Sequence, residues 1–236
     1  MKKIFSVLAV CAMLCSCTSD WGALETVNYP IDGEWTALDI SNAFQVTTSV
    51  TATEPVAVVS IGEKAHQYVQ VEVKDGTLYI GIKKWNFVSN EKPTVVIPAN
   101  PELNKLHASG ASSFQGSLLG DEVSMKLSGA SRFDGTMRAD NVDLEISGAS
   151  YAAINGFCME ELKIDISGAS MLDGNSFPCT KISGGISGAS RATVICCESL
   201  KVNVSGASEL TYGTPSDECS PTVDCECTGS STIVKK

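Results

Sequence analysis

The chain is 236 residues long and carries 17 Lys and Arg against 27 Asp and Glu, a formal net charge of −10. An acidic excess of this size argues against nucleic acid and anionic lipid surfaces as partners, because both reward clustered Lys and Arg. Aromatic residues make up only 6% of the chain and glycine numbers 20, a composition that suits narrow repeats filled by aliphatic side chains.

The first residues read as an export signal: Lys2 and Lys3, an apolar run from Ile4 to Leu14, then small residues. The run is too short to cross a bilayer as a mature helix, which needs about 20 apolar residues. Leu14-Cys15-Ser16-Cys17 resembles the lipobox of bacterial lipoproteins. By that resemblance residues 1 to 16 are the signal peptide and Cys17 carries the acyl chains, which hold a membrane at about 0.8 kcal/mol per buried CH₂. Cys11 and Cys15 fit worse, since neither follows a small residue preceded by an aliphatic one. The other reading is ordinary secretion with cleavage at an unmodified site. Removing residues 1 to 16 takes away two lysines and no acid, leaving 15 basic and 27 acidic residues and a formal charge of −12.

Residues 17 to 30 lack periodicity and are expected to form the lipid anchor and tether. From Asp32 to Ala99 the chain is rich in candidate strands: Phe44 to Val50, Val56 to Ile61, Tyr68 to Lys74, Thr77 to Lys83 and Thr94 to Ile97. One hairpin stands out. Asp75-Gly76 as a two-residue turn pairs Val73 with Leu78, Val71 with Ile80 and Val69 with Ile82, which puts six apolar residues on one face.

The second half repeats. Ser-Gly-Ala-Ser begins at Ser109, Ser128, Ser147, Ser167, Ser187 and Ser205, every 18 to 20 residues, and a worn copy, Thr228-Gly229-Ser230-Ser231, follows after 23. A fixed short period is the signature of a stacked repeat. Before each copy apolar residues alternate, as in Val123, Met125, Leu127 and in Leu162, Ile164, Ile166, the pattern of a strand with one buried face. Five residues past the first Ser a second inward column runs through Phe114, Phe133, Ala152, Leu172, Ala192, Leu210 and Ile233. Gly116, Gly135, Gly156, Gly174 and Gly213 are expected to end this second strand at a turn. The fold expected is all-β: a parallel β-helix-like solenoid with rungs of about 19 residues, preceded by a strand-rich N-terminal capping segment. No linker separates the two parts, so residues 31 to 236 are expected to be one domain, with 31 to 102 as start or cap and 103 to 236 as rungs.

Within the tetrapeptide, Gly supplies the positive φ of a tight turn, Ala is expected to fit a crowded corner, and the two serines are expected to stack and satisfy backbone groups at the bend. A row of catalytic serines is the sharper alternative. A nucleophile needs a base within reach, however, and no histidine recurs with the motif.

Seven cysteines follow Cys17: Cys158, Cys179, Cys196, Cys197, Cys219, Cys225 and Cys227, so at least one stays unpaired within a monomer. Cys225 and Cys227 occupy positions where other rungs use Leu or Val and are expected to be small core residues. There is no CxxC pair and the only histidines are His66 and His107, so neither a metal nor a cofactor is expected.

Outward positions of the first strand carry charges expected to pair between rungs, Lys126 with Glu145 and Asp143 with Lys163. The outward strip of the second strand is less ordinary. Arg132, Tyr151, Met171 and Arg191 fall in one column with Asp134 and Asp173 beside it, and exposed aromatic, Met and Arg groups in a row are what a binding face uses. Ordinary surface scatter is the plainer reading.

The Ser-Gly-Ala-Ser rungs behind a strand-rich segment resemble the putative auto-transporter adhesin, head GIN domain family of bacterial envelope proteins. The resemblance runs from Trp35-Thr36-Ala37-Leu38-Asp39-Ile40 through Leu78-Tyr79-Ile80 and Leu103-Asn104-Lys105-Leu106 to the last copy. It implies a β-helix-like envelope protein and supplies no catalytic motif.

Three functions follow as expectations. The first is a lipid-anchored adhesin or binding module of the cell envelope, at the outer membrane or cell surface, whose ligand-binding face of Arg132, Tyr151, Met171 and Arg191 takes a glycan or protein. The second is a non-catalytic structural component that binds another envelope protein. The third is a polysaccharide lyase or hydrolase built on Asp134, Asp173 and Arg132, because β-helices host such enzymes.

Overall fold

The computed structural model describes residues 21–83 and 92–236. It is all-β, a solenoid of about seven turns of about 20 residues each. Seven strands precede the repeats: β1 (Leu24–Pro30), β2 (Ala37–Ile40), β3 (Gln45–Ser49), β4 (Val56–Gly62), β5 (Val69–Lys74), β6 (Thr77–Ile82) and β7 (Thr94–Pro98). Then come β8 (Lys105–Ala108), β9 (Ser113–Leu119), β10 (Glu122–Leu127), β11 (Arg132–Ile146), β12 (Tyr151–Ile166), β13 (Met171–Ile186), β14 (Arg191–Val204) and β15 (Glu209–Gly213), closed by β16 (Thr222–Val223), β17 (Glu226–Cys227) and β18 (Thr232–Lys235).

In the repeats each coil lies parallel on the one before, so identical motif positions stack. Leu106 pairs with Met125, Met125 with Leu144 and Leu144 with Ile164 on one wall; Phe114 pairs with Phe133, Phe133 with Ala152 and Ala152 with Leu172 on the other. All of these are buried, and the Phe114 and Phe133 rings stack at 6.1 Å. The core is therefore two aliphatic ladders facing each other, and strict period-two alternation builds it.

Two details of the rung differ from expectation. Gly213 ends β15 as expected, but Gly116, Gly135, Gly156 and Gly174 lie inside their strands, and β11 to β14 run unbroken for 14 to 16 residues from one Ser-Gly-Ala-Ser corner to the next. Pairing with neighbouring coils continues on both sides of the bends, with register shifts at them, as between Asp173 and Pro178. Gly135 is required for room: a Cβ there would lie 2.0 Å from the Gly116 carbonyl oxygen and 3.0 Å from the Phe133 ring. The motif alanines are the second difference. They are exposed rather than packed into a corner, because the turn directs their methyl groups to solvent.

The corner chemistry follows from hydrogen bonding. The motif glycines, Gly110 to Gly229, have φ between +64° and +80°. From Ala149 onward the following residue's N–H donates to the glycine carbonyl of the coil before, as Ala149 does to Gly129 and Ala169 to Gly148, both at 2.7 Å. The second serine of each full copy is buried. Its hydroxyl donates three residues back, Ser112 to the Ser109 carbonyl at 2.7 Å and Ser150 to the Ser147 carbonyl at 2.8 Å. Ser131 does the same at 2.8 Å, whereas Ser190 donates to the Gly168 carbonyl of the coil before at 3.3 Å and the buried Ser170 hydroxyl has no partner among the described residues.

The N-terminal segment joins this stack out of sequence order. β2 pairs in parallel with both β6 and β8, and β3 with both β7 and β9, so the first coil of the chain sits between its second coil and the repeats. Outside β6 and β7 the pairing turns antiparallel. β5 lies on β6 in the hairpin register given above, with φ of 51° at Asp75 and 73° at Gly76, while β4 lies on β7 and β1 on β4. Part of the stretch read as a tether is thus a strand, β1. Its exposed Thr26, Asn28 and Pro30 alternate with half-buried Val27 and Tyr29, an alternation too short to signal a strand.

The opposite end carries no such cover. Val223, in the core register, is 42% exposed, Cys225 is half-buried and Cys227 is exposed. Cys227 therefore departs from the expected core role, because no coil stacks beyond its own. The disulfide Cys197–Cys219 ties the loop entering this last coil to β14.

Candidate functional site

The outward face of the second strand in each coil gathers the residues singled out from the sequence. Register places Arg132 beside Tyr151, Tyr151 beside Met171 and Met171 beside Arg191, in four consecutive coils. Three strand steps of about 4.8 Å separate the two arginines by about 14 Å. The Arg132 guanidinium lies 4.3 Å from the Tyr151 ring centroid, a cation–π contact that holds both side chains against the sheet. Met171 is 40% exposed between them and Arg191. The ends of the column are ion-paired: Arg132 Nη2 to Asp134 Oδ2 at 3.2 Å, and Arg191 Nε to Glu209 Oε2 at 3.5 Å. Exposed pairs of this kind contribute about 0 to 1 kcal/mol each and open readily to an incoming ligand.

A polar column runs alongside. Gln115, Asp134, Ala153, Asp173 and Thr193 stand in successive register. Asp173 Oδ1 accepts from the Asn175 side chain at 2.6 Å and its backbone N–H at 3.1 Å, which fixes the carboxylate. Two shallow depressions open on this face. One is lined by Gln45, Thr47, Ser113, Gln115, Arg132 and Asp134, the other by Thr47, Gln115, Ser117, Asp134, Thr136 and Asn155.

Several of these residues were not singled out from the sequence. Ser117, Thr136 and Asn155 each stand eight residues past the first Ser of their copy, so the repeat itself carried the signal. Gln45 and Thr47 carried none. They reach the face only because β3 docks on β9 with Gln45 opposite Ser113 and Thr47 opposite Gln115.

Asp134 and Asp173 stand two strand steps apart with Ala153 between them, about 10 Å, wider than the pair that forms a covalent glycosyl intermediate. His66 and His107 lie elsewhere, bonded to Tyr29 Oη at 2.9 Å and Asp39 Oδ2 at 2.8 Å. Neither histidine hydrogen-bonds a motif serine. Among the described residues no cluster of three His, Cys, Asp or Glu side chains is arranged to hold a metal ion. On the first-strand face Lys126 Nζ meets Glu145 Oε2 at 2.5 Å, and that carboxylate raises the lysine's pKa; Asp143 and Lys163 are register neighbours. Cys17 lies outside the described residues.

The stacked parallel coils class this molecule as a β-solenoid. Residues 34–215 match the family described as "Putative auto-transporter adhesin, head GIN domain", and the chain belongs to that family. Solved structures of the same fold include a putative adhesin from Bacteroides fragilis NCTC 9343, 20% identical with a TM-score of 0.78 over 91% of this chain and 97% of that one. A putative adhesin from Parabacteroides distasonis ATCC 8503 is 19% identical, with a TM-score of 0.67 over 91% and 98%. A putative lipid binding protein from the same strain is 20% identical, with a TM-score of 0.54 over 91% and 97%. No protein of curated function matches the chain.

Proposed function

We propose that this chain is a non-catalytic binding module of the bacterial cell envelope, held to the outer membrane or cell surface through acylated Cys17, and that its solenoid face captures a glycan. The observation that carries the reading is the exposed column Arg132, Tyr151, Met171, Arg191 with hydroxyl, carboxamide and carboxylate groups repeating beside it. An aromatic ring flanked by dense hydrogen-bonding groups on a rigid, shallow surface suits a sugar chain, and family membership supports an adhesive role. The test is a binding screen of residues 18–236 on arrayed glycans and extracellular-matrix proteins, beside the Tyr151→Ala/Arg191→Ala variant. Capture of glycans that the variant loses supports the reading; capture that the variant retains overturns the assigned face. Separately, Cys17→Ser is expected to release the protein from membranes, and continued fractionation with lipid overturns the anchor.

A second reading, a structural component that binds another envelope protein, draws on the open coil formed by β16, β17 and β18, with Val223 and Val234 exposed at 42% and 46%. Unpaired strand edges accept strands from partners. Crosslinking in cells that reports one protein partner at residues 222–235, with a blank glycan array, favours it.

A further inference from the structure

Three buried cysteines play no part in the binding face. Cys158 on β12, Cys179 on β13 and Cys196 on β14 form one inward column, Cys158 in register with Cys179 and Cys179 with Cys196. The coil before them holds Ala139 in the same place. Paired residues on neighbouring parallel strands stand about 4.8 Å apart at Cα, inside the span of about 4.4 to 6.8 Å that a disulfide bridges.

The column is not uniform. The neighbouring Cys179 thiol draws Cys158 below the usual thiol range, and the Cys158 thiol, with burial, pushes Cys179 above it. All three thiols also reach backbone carbonyls, Cys158 that of Asp140 at 3.3 Å, Cys179 that of Phe177 at 3.5 Å, and Cys196 those of Ser199 at 3.2 Å and Thr180 at 3.6 Å. The corner also lies close to solvent. Phe157 and Met159, which flank Cys158, are 41% and 59% exposed.

We propose that Cys158 and Cys179 are a disulfide site that locks two central coils together, with Cys196 remaining a thiol. The oxidant is an external disulfide, small-molecule or protein. The Cys158 thiolate attacks one of its sulfurs, forms a mixed disulfide and releases one thiol. Cys179 then gives up its proton and attacks the Cys158 sulfur, expelling the second thiol. Two protein thiols are oxidised, and one external disulfide is reduced to two thiols.

The bond would act where covalent closure is otherwise lacking. Cys197–Cys219 secures only the loop into the last coil, whereas Cys158–Cys179 would staple the middle of the stack, and small envelope domains use such staples in oxidising compartments. The column was visible in the sequence only as an odd excess of cysteines.

The experiment takes the full chain in detergent, reduced and then incubated with oxidised glutathione, and maps linked peptides by mass spectrometry without reduction. A Cys158–Cys179 peptide pair beside Cys197–Cys219, retained in Cys196→Ala, is the expected result, with a Tm several degrees above that of Cys158→Ala/Cys179→Ala treated alike. Should that double variant fail to fold, the peptide map of the unmodified chain decides alone. Free, alkylatable Cys158 and Cys179 in protein whose Cys197–Cys219 bond is complete overturn the proposal, as does a Cys179–Cys196 link.

Discussion

The two ends of the solenoid solve one problem in opposite ways. At the N-terminal end, parallel coils give way to antiparallel β5, β4 and β1, so edge strands end in a twisted cover with polar β1 outermost. At the C-terminal end β16 to β18 leave the last coil open, with core-register positions in solvent. A parallel stack has no internal reason to stop, and a change of strand direction ends it without inviting another strand. This molecule uses that device at one end, whereas at the other Cys197–Cys219 only ties down the loop that enters the last coil.

That contrast can be broken most forcefully in the middle. Phe133→Ala is expected to cost about 3 to 5 kcal/mol, since the ring is buried between two full coils. Ile233→Ala in the half-covered last coil should cost well under half of that by chemical denaturation, and equal costs would mean that the end is in fact closed. Gly168→Ala is expected to cost about 2 to 5 kcal/mol, from a positive φ plus a methyl forced against backbone. Its Cβ would stand 2.3 Å from the Gly148 carbonyl oxygen. Gly76→Ala in the cap hairpin has the same sign of φ but nothing within 4 Å, so about 1 to 2 kcal/mol is expected there. The difference isolates stacking from turn strain.

Cys197→Ser with Cys219→Ser removes a constraint worth up to about 3 kcal/mol in loop-closure terms. The loss should stay local, seen as proteolysis and amide exchange confined to residues 214–236, whereas global unfolding would show that the last coil supports the whole stack. The smallest effect belongs to the proposed binding face: with Arg191 exposed and Tyr151 half-buried on the outer side of the sheet, Tyr151→Ala/Arg191→Ala should leave Tm nearly unchanged, because surface substitutions away from the core alter stability by about 0.5 kcal/mol or less. A large fall in Tm would mean that the Arg132–Tyr151 contact is structural.

Legibility followed repetition. Phe114, Phe133 and Leu172 were assigned inward, and Arg132, Tyr151, Met171 and Arg191 outward, from period two and the tetrapeptide alone, and burial agrees. The Asp75-Gly76 hairpin was legible for a second reason, that turn chemistry and hydrophobic register pointed to one pairing. The exposed alanines and unbroken long strands were not legible, because a turn's direction and its pairing with the next coil depend on backbone geometry that residue types leave open.

By itself, then, the sequence determined the rung: its length, its two inward ladders, the glycine at its corner and the column of side chains on its outer face. Local propensity and alternation suffice for those, since each coil repeats the same short-range instructions. Only the tertiary structure decided that the coil of residues 37–49 slips between 77–98 and 105–119, bringing Gln45 and Thr47 onto the binding face, and that Cys158, Cys179 and Cys196 share one column. Both depend on which strands meet across long stretches of chain, and that is settled by the total burial of the assembled stack rather than by any residue's own preference.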